Sequence, residues 1–282
     1  MREEVVSGLL GRRALLGLGL GTATGMFAAC EPDGRSSEEN AHAPTVDSSS
    51  SETPVALEDG VFRSRFLRSR LGWAIAAPGN TGAGLPVLLY LHGLGADHTS
   101  PFTYMGLDAK LESWVAAGGT PFAIATVDGL DSWWRPQPGG IDGSRMLIEE
   151  FLPLLARRGF DIDTISLAGA SMGGYGALRL AGNGRLAPHS VGVFAPAVGP
   201  SGGAGSTDVS RHPEMLRGIP VQLFVGRYDE WRRDDLAYVH GLRQAGVRVQ
   251  AHLIPGGHDP VEMSVAAPRL IRYAGKHLRT AP

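Results

Sequence analysis

The stretch Ile165–Ala181, with the sequence ISLAGASMGGYGALRLA, constrains the fold more than any other part of the chain. It passes from an apolar run typical of a buried strand, through a glycine-rich turn, into a helical pattern. So sharp a turn leaves no room for side chains beside its central residue, Ser171, and Gly169 and Gly173 have none. The sequence therefore predicts a strand–turn–helix unit that raises the Ser171 hydroxyl above the end of a strand.

Further apolar runs alternate with amphipathic segments, which favours an α/β fold with a mainly parallel central sheet and helices on both faces. Strands are predicted over Val61–Arg70, Leu71–Ala77, Pro86–Leu91, Thr120–Val127, Thr164–Ala168, Ser190–Ala195, Val221–Val225 and Val247–Ile254, the first two as an antiparallel lead-in. Helices are predicted over Ser144–Arg158, Met172–Ala181, Leu236–Ala245 and Val261–Leu278. Because Pro200–Arg217 is short and rich in Gly and Ser, we expect no large lid domain.

Residues 1–29 predict an export signal of the twin-arginine type. Arg12 and Arg13 precede an apolar run that is short for a membrane span and diluted by glycines. The run ends in Ala28-Ala29-Cys30, similar to a bacterial lipobox, so we expect Cys30 to be lipidated and to anchor the exported protein to the membrane at the cell surface. The alternative is an incidental Cys30, with the signal cleaved nearby or retained as the anchor.

The predicted organisation continues with a flexible tether over residues 30–59 and an α/β domain over residues 60–282. The tether prediction rests on the dominance of Ser, Glu, Asp, Pro and Ala, which leave too little apolar surface to fold. The net charge of −2, with basic residues spread along the chain, speaks against nucleic-acid binding. A single cysteine excludes an intramolecular disulfide.

The turn around Ser171 resembles the nucleophile turn of α/β-hydrolases, in which G-x-S-x-G follows a strand and opens a helix. The resemblance implies catalytic residues in the chain order Ser, Asp or Glu, His, each at the carboxyl end of a strand. Asp229, just past a predicted strand, is the candidate acid, and His258, in the glycine-bearing loop after the last strand, is the candidate general base. A glycine-rich turn without catalytic meaning is the alternative, although the lysine of a phosphate-binding loop is missing.

Several other polar residues compete for these roles. We expect Glu230, Asp234 and Asp235 to be solvated, and Asp259 to point away from its neighbour His258. His92 precedes the serine, so a structural role is expected for it.

An oxyanion that forms beside Ser171 requires backbone N–H donors. The resemblance implies one donor at Met172 and a second in the loop after the early strand, for which Leu94 is the candidate. Trp133 and Trp134 are candidate substrate-binding residues that would stack on a sugar or an aromatic acyl group, and a pair that covers the core is the alternative.

Three segments are similar to the esterase D, feruloyl and acetylxylan esterase and mycolyltransferase branch: Leu85–Gly95, Ile165–Ala181 and Ile254–Asp259. The resemblance implies cofactor-free and metal-free cleavage of carboxylic esters through an acyl-serine intermediate, on a small-molecule, polysaccharide or glycolipid substrate. Mycolyltransferases use Glu as the acid, whereas this chain has Asp229. An acyltransferase that acts on cell-envelope glycolipids and a non-catalytic surface lipoprotein that retains the fold stay open as alternatives.

Overall fold

The computed structural model describes residues 54–79, 84–199 and 208–278. The predicted export signal over residues 1–29, the lipidation candidate Cys30 and most of the predicted tether lie outside the described residues. Among the helices of the described part, none combines the length and the apolar character that a membrane crossing requires.

Within the described residues, eight strands form one sheet in the order β1-β2-β4-β3-β5-β6-β7-β8. Their bounds are β1 Val55–Arg63, β2 Arg70–Pro78, β3 Pro86–Leu91, β4 Ala123–Val127, β5 Asp161–Ala170, β6 Val191–Phe194, β7 Val221–Gly226 and β8 Val249–Ile254. β2 pairs antiparallel with β1 and β4, and every other neighbouring pair is parallel. The predicted mainly parallel sheet with an antiparallel lead-in is confirmed.

Helices connect the strands and end the domain. They are α1 Ser100–Thr103, α2 Leu107–Ala116, α3 Gly143–Met146, α4 Leu152–Arg157, α5 Met172–Gly182, α6 Asp208–Arg211, α7 Arg232–Gln244, α8 Pro260–Met263 and α9 Ala267–His277, with a π-helical turn at Leu147–Phe151 and 3-10 turns at Pro138–Gly140, Pro213–Leu216 and Ser264–Ala266. The prediction missed α2, because only Leu107 and Leu111 of this helix are buried and its apolar periodicity is weak.

Two glycines show that helices cover both faces of the sheet. Gly169 of β5 lies against Gly173 of α5, and its register partner on β6 is Val193. Gly192, the residue before Val193, lies instead against Leu270 of α9. Because successive residues of a strand point to opposite faces, α5 and α9 lie on opposite faces of the sheet, as predicted.

The folded domain begins earlier than the predicted boundary at residue 60. β1 starts at Val55 and runs antiparallel to β2, so residues 55–59 belong to the sheet and not to a tether. The polar composition of residues 55–59 suggested a tether, but β1 is an edge strand with mostly exposed side chains. Backbone pairing with β2, and not burial of apolar side chains, orders it. The segment Pro200–Arg217 was predicted to be too short for a lid domain. Its described residues form only α6 and a 3-10 turn.

The strand order reverses direction between β3 and β5, and this reversal positions the site. From β3 the chain passes outward to β4 and then returns to the other side of β3 to form β5. The loops that leave the carboxyl ends of β3 and β5 therefore diverge and open a crevice at that edge of the sheet. Ser171 follows β5 directly, and Leu94 lies in the loop after β3.

A truncation tests the revised start of the domain. A chain that begins at Gly60 lacks half of the β1–β2 pairing and should unfold at a lower temperature than a chain that begins at Pro54. Cross-strand pairs are worth roughly 0.2–1 kcal/mol each, so the loss of five pairs should amount to about 1–5 kcal/mol. Equal melting temperatures for the two chains by circular dichroism would show that residues 55–59 contribute nothing to the fold.

Candidate active site

Ser171 sits between β5 and α5 in a backbone conformation that L-residues rarely adopt, with φ 55° and ψ −120°. Its N–H donates to the carbonyl of Phe194 at 2.9 Å, and its carbonyl accepts from the N–H of Tyr175 at 3.0 Å. A conformation of this kind costs of order 1–3 kcal/mol and persists only where the surroundings impose it. The two hydrogen bonds and the fixed strand and helix on either side impose it here.

The two glycines of the turn are required by close backbone approach. A Cβ at Gly173 would overlap the carbonyl group of Leu91, at the end of β3. A Cβ at Gly169 would overlap the backbone of Gly173. The turn is therefore pressed against the loop that follows β3, which is what brings that loop to Ser171.

The predicted base and acid are hydrogen-bonded to each other. His258 Nδ1 lies 2.9 Å from Asp229 Oδ2, and the Asp229 side chain is fully buried. The other carboxylate oxygen of Asp229 accepts from the N–H of Trp231 at 2.8 Å. The two bonds fix the plane of the carboxylate. Because a carboxylate oxygen only accepts hydrogen bonds, Nδ1 is the donor in its contact with Oδ2.

The loops that carry these two residues are joined by backbone contacts. The N–H of Tyr228 donates to the carbonyl of Gly256 at 2.9 Å, and a Cβ at Gly226 would meet the carbonyl oxygens of Gly256 and Gly257. The Trp231 ring packs on the His258 ring with centroids 4.2 Å apart. The carboxyl ends of β7 and β8 therefore hold the imidazole in place.

Ser171 and His258 line the same cavity, which has a volume of about 150 Å³. The second imidazole nitrogen, Nε2, is buried and has no hydrogen-bond partner among the described residues. A hydroxyl, an imidazole and a buried carboxylate thus come together at the carboxyl edge of the sheet. Such an arrangement is suited to deprotonate the hydroxyl as it attacks an acyl carbon. The catalytic roles themselves stay predictions.

The two predicted oxyanion donors lie beside Ser171. Met172 is the first residue of α5, so its N–H has no acceptor within the helix. Leu94 and Gly93 line the cavity together with Ser171, and the Cβ direction of Gly93 points within 3.4 Å of the Ser171 Cβ. Leu94 therefore lies at the cavity, and Met172 directly follows Ser171, which lines it. Their role as donors stays a prediction.

His92 has a structural role, as the sequence indicated. Its Nε2 accepts from the N–H of Gly129 at 2.8 Å, and its Nδ1 lies 2.7 Å from the carbonyl of Gly93. Burial lowers the pKa of the His92 imidazole. The neutral ring therefore ties the loop after β3 to the loop after β4 and is not available as a base.

The expected substrate contact of Trp134 is wrong. Trp134 is fully buried, its ring leaves no space for a Cβ at Gly129 or Gly176, and its ring N–H donates to the carbonyl of His92 at 3.3 Å. It fills the space between two loops and α5, so no substrate can stack on it. Trp133 is partly exposed, packs edge-on against Tyr175 and is not among the residues that line the cavity.

Asp235 is buried, contrary to the expectation that it is solvated. Both of its carboxylate oxygens lack a hydrogen-bond partner among the described residues. Burial, followed by the nearby charges of Asp229 and Asp234, raises the pKa of Asp235 to about 9. The helical spacing with Tyr238, Val239 and Leu242 was the missed signal, since these residues form the buried face of α7.

Glu230 and Asp259, two other carboxylates considered as the partner of His258, lie elsewhere. Glu230 is exposed. Asp259 caps α8 and accepts from the N–H groups of Val261 and Glu262 at 2.7 and 3.3 Å. The cavity wall also contains Tyr90, Met105 and Met263, which sequence analysis missed because they look like ordinary core residues.

Most of the chain matches a known protein family. Residues 64–264 match the family model described as "Putative esterase". No curated protein matched the chain. The fold is similar to that of a ferulic acid esterase, with a TM-score of 0.70, 18% identity and coverage of 79% of this chain and 99% of that chain.

Two further solved structures are similar. An S-formylglutathione hydrolase from Agrobacterium tumefaciens has a TM-score of 0.68 at 16% identity, with coverage of 80% of this chain and 97% of that chain. The fluorophosphonate-binding serine hydrolase F of Staphylococcus aureus has a TM-score of 0.64 at 17% identity, with coverage of 79% and 99%. At these identities the similarity establishes the fold.

The substitution Asp235→Asn should stabilise the protein at neutral and alkaline pH. The folded-state pKa of about 9 lies above the ordinary value of roughly 4. Between these values the unfolded chain releases a proton that the folded chain keeps, so stability falls as pH rises through this range. An asparagine does not ionise, so the variant should gain about 1–3 kcal/mol at pH 8 and little at pH 4.

Urea unfolding at both pH values measures this difference. Glu230→Gln, which removes an exposed carboxylate just before α7, serves as the control and should show no such pH dependence. Identical pH profiles for Asp235→Asn and the unsubstituted protein would contradict the neutral, buried state of Asp235.

Proposed function

Because the chain belongs to the esterase family, we propose that it hydrolyses carboxylic esters through a covalent acyl-serine intermediate on Ser171. The observation that carries this proposal is the hydrogen bond between His258 and the buried Asp229, with His258 and Ser171 in one cavity. The reaction requires no group beyond the protein and water. Export and lipidation of Cys30 remain part of the proposal on the basis of the sequence alone.

In the first half of the reaction, Ser171 Oγ attacks the carbonyl carbon of the ester while His258 Nε2 takes its proton. The unpaired Nε2 is the nitrogen that is free to do so. The imidazolium that results is stabilised by the Asp229 carboxylate, whose burial strengthens the interaction. Asp229 stays ionised and keeps the imidazole in the required tautomer.

The carbonyl oxygen gains a negative charge in this step, and the N–H groups of Met172 and Leu94 are the proposed donors to it. The N-terminus of α5 adds the favourable end of its dipole at the same point. The tetrahedral intermediate collapses when the imidazolium returns its proton to the leaving alcohol. Water, deprotonated by His258, then attacks the acyl carbon. The imidazolium gives this proton to Ser171 Oγ as the bond from Oγ to the acyl carbon breaks and the carboxylic acid leaves.

The cavity favours small acyl groups. Its volume of about 150 Å³ matches that of an apolar cavity which holds a molecule of the size of benzene. Tyr90, Met105 and Met263 are buried parts of its wall, and the Tyr90 hydroxyl donates to the Met105 sulfur at 3.0 Å. We therefore propose esters of short acyl chains, up to roughly six carbons, as substrates.

The substitution Ser171→Ala should reduce hydrolysis of p-nitrophenyl acetate by at least about a thousandfold, because the acyl-enzyme can no longer form. Ser100→Ala removes a second serine of the same cavity and should retain activity. A fluorophosphonate probe should label the unsubstituted protein and Ser100→Ala at residue 171, and should not label Ser171→Ala. Hydrolysis by Ser171→Ala at the rate of the unsubstituted protein would rule out the proposed nucleophile.

The substitution Met105→Ala should shift the acyl preference towards longer chains. Removal of the side chain extends the cavity, and each additional methylene that fits contributes about 1–3 kcal/mol. The ratio of kcat/KM for p-nitrophenyl octanoate to that for the butyrate should rise by about tenfold or more. Met146→Ala removes a buried methionine of α3 outside the cavity and should leave the ratio unchanged. A ratio that responds equally to both substitutions would mean that Met105 does not limit the acyl chain.

A further inference from the structure

A groove lies between α9 and the β7–β8 side of the sheet, at the end opposite the active site. It consists of two adjoining cavities of about 250 and 270 Å³, which share Gln250, Tyr273 and His277. Val221 and Val249, the first residues of β7 and β8, line one of the cavities. The groove therefore opens at the amino ends of strands whose carboxyl ends carry Asp229 and His258.

Four cations surround this groove. Arg269, Arg272 and Lys276 lie at helical spacing on the exposed face of α9, and Arg248 approaches from the start of β8. No carboxylate lines either cavity, and none of the four cations forms an ion pair within the described part of the chain. The chain as a whole has a net charge of −2, so positive charge is concentrated at this place. Unpaired cations at close range attract an anion strongly.

The wall of the groove also contains buried polar atoms that lack partners. The Tyr273 hydroxyl is buried and forms no hydrogen bond among the described residues, and the same holds for the side-chain oxygen of Gln222. Tyr273 is held in place, because the His277 ring packs on its ring at 4.5 Å and His277 Nδ1 lies 2.9 Å from its carbonyl oxygen. A buried hydroxyl without an acceptor is unfavourable. The fixed Tyr273 O–H therefore lacks an acceptor that a bound anion would supply.

We propose that this groove binds a phosphate group, with Arg269 and Arg272 as its main ligands and the Tyr273 hydroxyl as a further donor. Guanidinium groups donate two parallel N–H bonds to the oxygens of a phosphate, and the charge of the phosphate balances cations that are otherwise unpaired. The phosphate belongs either to a soluble phosphate ester or to the head group of an anionic phospholipid. In the second case the active-site edge would face away from the bilayer.

The test uses the full chain and two variants with the same change in charge. Arg269→Gln/Arg272→Gln removes two cations of the groove, and Arg63→Gln/Arg70→Gln removes a pair of exposed, register-matched arginines on β1 and β2, at the far side of the sheet. Tyr273→Phe removes only the hydroxyl. One arm titrates inorganic phosphate by calorimetry, and a second measures co-sedimentation with vesicles of phosphatidylcholine, alone or mixed with phosphatidylglycerol.

Saturable binding of phosphate or of the anionic vesicles should be lost or weakened at least about tenfold in Arg269→Gln/Arg272→Gln, weakened in Tyr273→Phe and unchanged in Arg63→Gln/Arg70→Gln. Binding of free phosphate without vesicle binding identifies a soluble ligand, and binding of anionic vesicles alone identifies a head group. Hydrolysis of p-nitrophenyl acetate should be the same in all variants, which shows that they are folded. The proposal is overturned if neither probe binds, or if the Arg63→Gln/Arg70→Gln variant loses binding equally.

Discussion

The close approach of Gly173 to the Leu91 carbonyl is the contact on which the arrangement of the site depends. It presses the turn after β5 against the loop after β3, at the point where the strand order reverses. A side chain at position 173 would overlap the Leu91 carbonyl and force the turn away from the loop that carries Leu94. One backbone contact thus couples the position of Ser171 to the positions of the two candidate oxyanion donors.

Two buried aspartates near the site, Asp229 and Asp235, differ in their hydrogen-bond partners. Asp229 accepts hydrogen bonds from His258 and Trp231, which compensate for its loss of hydration. Asp235 has no such partners, and burial raises its pKa to about 9, so it is neutral at physiological pH. A neutral Asp235 leaves Asp229 as the single negative charge of this pair.

Chain order and strand ends predict Ser171, Asp229 and His258 at one edge of the sheet, because parallel strands deliver their carboxyl ends to the same edge. In the structure His258 is hydrogen-bonded to Asp229 and lines one cavity with Ser171, while the catalytic roles stay predictions. The features that were missed depend on contacts between distant segments. β1 is ordered by its partner strand and not by its own composition. Trp134 is buried by α5 and the loop after β3, which local sequence does not encode. The burial of Asp235 could have been predicted from its helical spacing with the apolar residues of α7, but its charge suggested exposure.

The groove between α9 and the β7–β8 side of the sheet lies far from the active site, because the two are at opposite ends of the strands. β8 has six residues, so its ends lie about 17 Å apart at roughly 3.3 Å per residue. This is about twice the Debye length at physiological ionic strength. Cations at the amino edge therefore contribute little to an oxyanion at the carboxyl edge, and their clustering requires a local cause. The proposed anion among Arg269, Arg272 and the Tyr273 hydroxyl would supply that cause, and it would leave the cavity beside Ser171 free for the proposed substrate.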